Sequence, residues 1–230
     1  MTTLLAFDTA TERISIGLER DDAMWLHEGE GGAAASARFL PAVLDLLDQA
    51  GVGLDELDAI AYGRGPGAFT GLRTACSAAQ GLAYGARKRV IAIDTLLAVA
   101  EDARAGADAV RIWVLQDARM DEVYAAEYVH DAGGWRTEVA PLVTSPEKLV
   151  ERWRERPPEV VAGNALVAYG SRLDSGLARR VPEAAPRPEA LLALARAAWL
   201  AGRTLEATEA LPLYIRDKVA QTTAEREAGR

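Results

Sequence analysis

The first residues that could do chemistry follow a short apolar run near the N-terminus. Asp8, Thr9 and Thr11 come directly after residues 4–7, which read as a buried strand. A carboxylate and two hydroxyls at a tight turn can hold a phosphate-bound metal ion, with the carboxylate facing the cation through water. The simpler alternative is that Asp8 and Thr9 build a hairpin turn, and the spacing alone favours this alternative.

The second candidate is a glycine-rich segment, residues 62–73, between a predicted strand and a predicted helix. Its glycines, among them Gly65 and Gly67, let backbone amides approach an anion, and the start of the helix adds partial positive charge. The segment lacks the Gly-Lys-Ser/Thr of a Walker A loop. It also departs from the dinucleotide-binding fingerprint, because Thr70 stands at the position of the third glycine. Anion binding and tight packing between strand and helix both remain open.

A third polar group, residues 117–124, lies between two predicted strands and contains Asp117, Arg119 and Asp121. Such a cluster can bind a ligand, but a hydrogen-bonded turn is the favoured interpretation. Cys76 reads as a small buried side chain, since no histidine partner would make it a nucleophile. The two histidines, His27 and His130, lie far apart in the sequence and offer no metal-ligand spacing.

The composition excludes several classes of protein. The 230-residue chain is 50% hydrophobic and 26% charged, which is typical of a folded globular protein. Its net charge of −8 and sequence pI near 5.0 argue against a protein that binds nucleic acid on its own, because phosphate contacts need clustered Lys and Arg. A single cysteine excludes an internal disulfide and a multi-thiolate zinc site.

The N-terminal residues turn acidic too soon for a signal peptide. No stretch reaches the roughly 20 apolar residues of a transmembrane helix. The sequence therefore predicts a cytoplasmic protein without membrane contact.

Hydrophobic periodicity predicts the elements that position these residues. The first part reads βββαβαβα: strands 4–8, 13–19 and 23–28, helix 36–50, strand 57–62, helix 72–84, strand 90–93 and helix 95–104. After a break in composition at residues 105–108, the second part reads as strands 111–116, 122–129 and 135–139, helix 146–154, strand 160–163 and helix 188–203. Two similar α/β layers in series follow from this order, although no residue-level repeat supports a duplication. Residues 221–230 have no apolar periodicity and are predicted to be loose.

Four segments, taken in order, resemble the bacterial TsaB family, also called YeaZ. They are LLAFDTAT at the start, AYGRGPGAFTGLRTACSAAQGLAYG (61–85), QDARMDEVYAAEY (116–128) and LPLYIRDKVA (211–220). The resemblance implies an actin/Hsp70/sugar-kinase-like (ASKHA) α/β fold, with two domains that each contain a mixed sheet flanked by helices. The expected domains are 1–104, which carries the dimerisation helices, and 105–230, whose last helix packs back on the first domain.

The resemblance also implies a role in tRNA modification. Family members support the addition of a threonylcarbamoyl group to N6 of the adenosine next to the anticodon in tRNAs that read ANN codons. The expected role is a non-catalytic scaffold that pairs with the catalytic paralogue TsaD, with the ATPase TsaE joining the assembly. The resemblance implies a homodimer when the chain is alone, contact with tRNA only through the complex, and ATP or ADP, if any, at the joint with TsaD. Whether Lys218 and Arg226 contact tRNA stays open.

The first long helix carries the argument against catalysis. A catalytic paralogue needs two histidines one helical turn apart near this helix, and residues 33–41 contain none. No metal site and no catalytic residue are therefore expected. Asp8, Thr9 and Thr11 match the first phosphate loop of the fold, and with Gly65 and Gly67 they are the expected remnant of a nucleotide-binding site.

The partner interface is expected on two helices, residues 36–49 and 72–83, which resemble the pair that meets TsaD in a helical bundle. The expected interface residues are Phe39, Leu40, Val43, Leu47, Leu72, Ala75, Ala79 and Leu82. Judged from the residues alone, these side chains are core candidates first and interface candidates second. A large charged residue at position 79 is expected to block TsaD binding without unfolding the chain.

Three other functions are alternatives to this role. A small-molecule kinase of the same fold would use Asp8 for metal and loop 63–71 for phosphate, but no general base can be identified. A protease lacks both a Ser–His–Asp arrangement and an HExxH motif. A regulatory binding protein that uses the same dimer surface cannot be separated from a scaffold by sequence.

Overall fold

The computed structural model describes residues 2–32 and 35–216 and contains two five-stranded mixed sheets. The first sheet has the order β3-β2-β1-β4-β5, with β1 antiparallel to β2 and parallel to β4. Its strands are β1 (Thr3–Asp8), β2 (Arg13–Arg20), β3 (Ala23–Glu30), β4 (Ala59–Gly65) and β5 (Arg89–Asp94). Residues 221–230, Lys218 and Arg226 lie outside the described residues.

The second sheet repeats this topology with the order β10-β9-β6-β7-β8. Its first strand pairs antiparallel with the second and parallel with the fourth, as in the first sheet. Its strands are β6 (Val110–Asp117), β7 (Val123–Asp131), β8 (Gly134–Thr144), β9 (Val160–Ala162) and β10 (Arg179–Val181). The two halves are therefore related in topology although their sequences show no residue-level repeat.

The helices flank and separate the sheets. They are α1 (Ala35–Ala50), α2 (Phe69–Ala86), α3 (Thr95–Arg104), α4 (Pro146–Glu155), α5 (Ala165–Ala168) and α6 (Pro188–Leu200). The predicted order of elements and the ASKHA-like fold class are confirmed. Two short elements, α5 and β10, were not predicted. Helix α2 also continues past Gly85, and Arg87 in a left-handed conformation ends it.

Four buried clusters define five layers. Helices α1 and α2 pack on one face of the first sheet, and α4 and α5 pack on the outer face of the second. Helices α3 and α6 lie between the two sheets and contact each other. Each middle helix crosses over: α3 follows the first sheet in the chain but packs on the second, whereas α6 follows the second sheet and packs on the first.

Close approach between α6 and the first sheet depends on one glycine. A Cβ at Gly17 of β2 would lie 2.8 Å from Leu192 Cδ1 of α6, closer than two carbon atoms can pack. On the opposite face, Phe7 and Phe39 meet edge to face with ring centroids 4.8 Å apart. The first sheet is thus covered on both faces except at its edge strand β3, where Met24, Leu26 and Glu28 are exposed.

Within residues 2–32 and 35–216, no helix combines the length and the apolar composition that crossing a bilayer requires.

Candidate functional site

All four sequence segments that carry the family resemblance meet at one cleft between the two sheets. This cleft has a volume of about 280 Å³. Its walls are the β1–β2 turn at Thr11, the glycine-rich loop at Gly67, the β6–β7 turn at Arg119, and residues 213–216 near the C-terminus. The strand ends of both sheets therefore open into the same cavity, as expected for two similar layers that face each other.

Asp8 lies at the end of β1 and is fully buried. Its Oδ1 accepts a hydrogen bond from the Ala10 amide at 2.6 Å, and its Oδ2 accepts one from Thr95 Oγ1 at 2.5 Å. Burial raises the pKa of Asp8 to about 6, although both hydrogen bonds oppose the rise. Because both oxygens are engaged inside the fold and Asp8 does not line the cleft, its carboxylate builds the turn.

The glycine-rich loop packs directly against this turn. The Ala68 amide donates to the Ala10 carbonyl at 2.7 Å, and Thr9 Oγ1 donates to the Gly71 carbonyl at 2.7 Å. A Cβ at Gly67 would lie 2.3 Å from the Ala10 carbonyl oxygen, and one at Gly71 would lie 1.9 Å from the Thr9 carbonyl oxygen. These glycines permit close backbone packing, which is the alternative to anion binding that the sequence left open.

The remaining expected nucleotide-site residues divide between the cleft and the interior. Gly65 has φ +109°, is followed by a cis peptide bond to Pro66, and donates from its amide to Thr95 Oγ1 at 3.2 Å. Thr11 and Gly67 line the cleft, whereas Asp8, Thr9 and Gly65 do not. The structure therefore does not bring the five expected residues together around one cavity.

The opposite wall is the β6–β7 turn, which has an unusual backbone. Arg119, Met120 and Asp121 have φ values of 61°, 56° and 59°, and such left-handed residues cost of order 1–3 kcal/mol each when they are not glycine. Asp117 holds the turn, because its Oδ1 accepts hydrogen bonds from the Arg119 amide at 2.8 Å and from the Tyr169 hydroxyl at 2.9 Å. The predicted hydrogen-bonded turn is present and also forms part of the cleft wall.

One ion pair joins the two turns across the cleft. Arg119 Nη2 lies 2.5 Å from Glu12 Oε1, and Arg119 Nη1 lies 3.3 Å from Asp117 Oδ2. The guanidinium therefore bridges a carboxylate of each half of the molecule. Both Arg119 and Glu12 line the cleft and are largely exposed, so this pair contributes little to stability.

The C-terminal strap, residues 210–216, closes the cleft on its remaining side. Gln80 Nε2 of α2 donates to the Ala210 carbonyl at 2.8 Å, and the Leu213 amide donates to the Arg64 carbonyl at 2.7 Å. At its end the Arg216 guanidinium pairs with the Glu122 carboxylate beyond the β6–β7 turn. The strap thus runs from α2 to the second sheet. The sequence motif at residues 211–220 did not predict this path.

The structure corrects the choice of partner-interface residues. Six of the eight expected side chains are no more than 4% exposed and pack inside the chain: Phe39, Val43, Leu47, Leu72, Ala75 and Ala79. The physical reason is that the apolar stripe of each helix faces its own sheet. Leu40 is 44% exposed and Leu82 is half-buried, and for these two the interface assignment stays a prediction. A charged side chain at position 79 would disrupt the core, so that substitution does not test an interface.

The helices present a different set of residues to the outside. Leu40 and Leu44 lie one turn apart on the exposed face of α1, and Tyr84 of α2 is 76% exposed. Gly81 and Gly85 lie on the exposed face of α2. Buried Cys76 donates from Sγ to the Ala210 carbonyl at 3.2 Å, and burial raises the pKa of its thiol.

Among the described residues, no three His, Cys, Asp or Glu side chains lie close enough together to hold a metal ion.

Comparison with known proteins finds a family model and individual relatives with related names. A family model described as TsaD, tRNA N6-adenosine threonylcarbamoyltransferase, matches residues 30–223. The tRNA threonylcarbamoyladenosine biosynthesis protein TsaB of Escherichia coli K12 is 38% identical over 221 residues, covering 94% of this chain and 96% of its own. The protein of the same name from Haemophilus influenzae is 35% identical, covering 94% of each chain.

Solved structures agree with these relatives. YeaZ from Pseudomonas aeruginosa superposes with a TM-score of 0.83 at 38% identity, covering 93% of this chain and all of that one. A polyphosphate/ATP-glucomannokinase from Arthrobacter superposes with a TM-score of 0.51 at 12% identity, covering 87% of this chain and all of that one, a likeness of fold alone. The chain therefore belongs to the TsaB (YeaZ) family, within the wider group that the TsaD model describes.

Proposed function

We propose that this chain is the non-catalytic scaffold partner of a TsaD-type enzyme in tRNA threonylcarbamoyladenosine biosynthesis. In this role it supports transfer of the threonylcarbamoyl group to N6 of the adenosine next to the anticodon in tRNAs that read ANN codons. The names of its relatives support the pathway. The proposal includes TsaE as a further member of the assembly and tRNA contact only through the complex. It puts any ATP or ADP at the joint with TsaD.

The observation that carries the non-catalytic role is the closure of the glycine-rich loop on the β1–β2 turn. A phosphotransferase of this fold needs free amides in that loop and a carboxylate that faces a metal ion. Here the Ala68 amide donates to the Ala10 carbonyl, and the Asp8 carboxylate accepts hydrogen bonds from the Ala10 amide and the Thr95 hydroxyl. The same contacts count against the small-molecule kinase, which would depend on Asp8 and this loop.

The docking surface is proposed on the outward face of α1 and α2. Leu40 and Leu44 are 44% and 48% exposed and form an apolar ridge on α1. Gly81 and Gly85 lie within α2, where glycine destabilises a helix by roughly 0.5–1 kcal/mol relative to alanine. Neither glycine has a left-handed backbone, and a Cβ at either would meet no atom within 4 Å. The fold does not require these glycines, whereas a partner helix in close contact would.

The first experiment measures docking. Gly81→Arg should abolish co-purification with TsaD because the side chain blocks close approach of a helix. Its melting temperature should equal or exceed that of the wild type, since arginine has the higher helix propensity. Gly81→Ala should bind nearly normally, and Val167→Arg, at a site 74% exposed on α5, serves as the control for added charge. Wild-type recovery of TsaD with Gly81→Arg would place the interface elsewhere.

The second experiment tests whether the chain is needed for threonylcarbamoyladenosine formation. Cells depleted of this chain should lose threonylcarbamoyladenosine from bulk tRNA, as measured by mass analysis of tRNA nucleosides. Expression of the wild-type chain should restore the nucleoside, and expression of Gly81→Arg should not. Unchanged threonylcarbamoyladenosine after depletion would remove the pathway assignment, whatever the outcome of the docking experiment.

A further inference from the structure

The two sheets have four edge strands, and three of them are protected against pairing with another chain. Strand β5 is covered, because Val90 and Leu205 exchange backbone hydrogen bonds of 2.9 and 2.7 Å. Strand β8 is irregular, with two register shifts against β7 and a proline at position 141. Strand β10 has only three residues. Covering segments, bulges, proline and short length are features by which proteins keep sheet edges from pairing.

The fourth edge, β3, has none of these features. Its eight residues pair with β2 in one uninterrupted register and include no proline. Within residues 2–32 and 35–216, no backbone hydrogen bond reaches the other side of β3. Its two charged side chains, Glu28 and Glu30, stand at one end of the strand. A regular strand with a free edge presents a row of unpaired amides and carbonyls to which a further strand can bind.

The side chains beside this free edge are apolar. Leu26 lies opposite Gly17 of β2, whose face is covered by Leu192 of α6. Because opposite residues of an antiparallel pair lie on the same face, Leu26 is on the α6 face, and so is Met24 two residues before it. These two side chains are 42% and 47% exposed. A strand that pairs with β3 would therefore cover apolar surface and satisfy the free backbone groups together.

The charges at the two ends of β3 favour antiparallel pairing with a second copy of the chain. One end follows the exposed turn 21–22, which consists of two aspartates. At the other end, Arg13 pairs with Glu28 and Arg38 pairs with Glu30, and both arginine side chains are more than half exposed. Antiparallel pairing directs the aspartate turn of each copy toward the arginines of the other. Parallel pairing would place the two aspartate turns side by side, which is unfavourable.

The pattern of side chains selects the register. Two antiparallel registers align seven residues of β3 in each copy, one centred on Leu26 and one centred on His27. The register centred on His27 would place each Leu26 opposite Glu28 of the other copy. The register centred on Leu26 places the two leucines against each other, with Met24 of each copy diagonally beside them.

We infer that two copies of this chain associate through antiparallel pairing of their β3 strands, with the two Leu26 side chains at the two-fold axis. Since the other three sheet edges are protected, the association ends at a dimer. The inference does not depend on docking to TsaD, because it uses the edge of β3 and not the exposed face of α1 and α2.

The first test measures self-association of the full chain with the proposed docking surface blocked. Gly81→Arg changes α2 and leaves β3 intact, so sedimentation equilibrium should still show a dimer, with a Kd of about 100 µM or tighter. Addition of Leu26→Lys should raise this Kd about tenfold or more, because two like charges would meet at the axis. The matched control adds Val167→Lys on α5, on the outer face of the second sheet, and should leave the Kd unchanged.

The second test measures the register by cross-linking and does not depend on the lysine variant. Leu26→Cys should form an intermolecular disulfide on mild oxidation, because directly opposite residues of paired strands are close enough for an S–S bond. Val167→Cys is the matched control and should remain largely monomeric. Cys76, which both variants retain, is buried.

Four results would each overturn the inference. The first three are a monomeric Gly81→Arg variant at about 300 µM, an unchanged Kd after addition of Leu26→Lys, and equal cross-linking of Leu26→Cys and Val167→Cys. The fourth is loss of TsaD co-purification in Leu26→Lys while the chain alone stays monomeric, which would show that β3 pairs with TsaD and not with a second copy.

Discussion

At the scale of single residues, Asp8 illustrates how a catalytic-looking residue can serve the fold. Its position after a strand and before two hydroxyl residues is the same whether it faces a metal ion or builds a turn. The surroundings of Asp8 show that it builds the turn. Gly63 leaves space for the carboxylate, and the Thr95 hydroxyl of α3 donates a hydrogen bond to it. A Cβ at Gly63 would lie 1.8 Å from Asp8 Oδ2. The sequence could not supply this contact between residues 55 positions apart.

The pKa of Asp8 leads to a prediction about stability. Its value rises from 3.8 to about 6 on folding, so the folded chain binds the proton more tightly than the unfolded chain does. The contribution of Asp8 to stability is therefore fully present below pH 3.8 and is lost as the pH rises through about 6. The shift corresponds to about 3 kcal/mol between these limits.

Asp8→Asn removes this titration and keeps hydrogen-bonding groups for Ala10 and Thr95. Denaturant unfolding of both proteins between pH 4 and 8 should show the variant gaining stability relative to the wild type as the pH rises, by up to about 3 kcal/mol. For Gln49→Leu, which changes an exposed and non-titrating side chain of α1, the difference from the wild type should stay nearly constant. A constant difference for Asp8→Asn would mean that Asp8 does not titrate in this range.

At the scale of elements, regular strands and long helices could be predicted because burial on one face imposes a periodicity. The short β10 and α5 have three and four residues, too few for any period to show. The same periodicity misled the interface assignment, since an apolar stripe on α1 or α2 looks alike whether it meets a sheet or a partner.

The C-terminal strap is the element that periodicity could not reveal, and it supports a prediction of local stability. Arg216 is 15% exposed and pairs with Glu122, so Arg216→Gln should weaken the strap by roughly 1 kcal/mol. The Leu213 amide, bonded to the Arg64 carbonyl, should then exchange with solvent about fivefold faster if exchange follows opening of the strap. Arg203→Gln, an exposed change after α6, should leave that rate unchanged. Equal rates in all three proteins would show that the ion pair does not hold the strap.

At the scale of the whole molecule, the exchange of α3 and α6 makes the two halves depend on each other. The first sheet lacks cover on one face without α6, whose Leu191, Leu192 and Ala195 pack on it. If the chain is divided near residue 105, the second sheet likewise loses its packing contacts with Leu96 and Val99 of α3. A boundary near residue 105 separates the sheets in sequence but not their cores.

We therefore expect the chain to unfold in one cooperative step. Trp25 packs against the core of the first sheet, and Trp113 with Trp153 packs in the core of the second, so single-tryptophan variants report on each half. Their fluorescence and the far-UV circular dichroism should give the same denaturation midpoint. A fragment of residues 1–108 should fail to fold, because the α6 face of its sheet would be exposed to water. Two separated midpoints, or a fragment with native-like cooperative unfolding, would show that each half is stable without the exchanged helix.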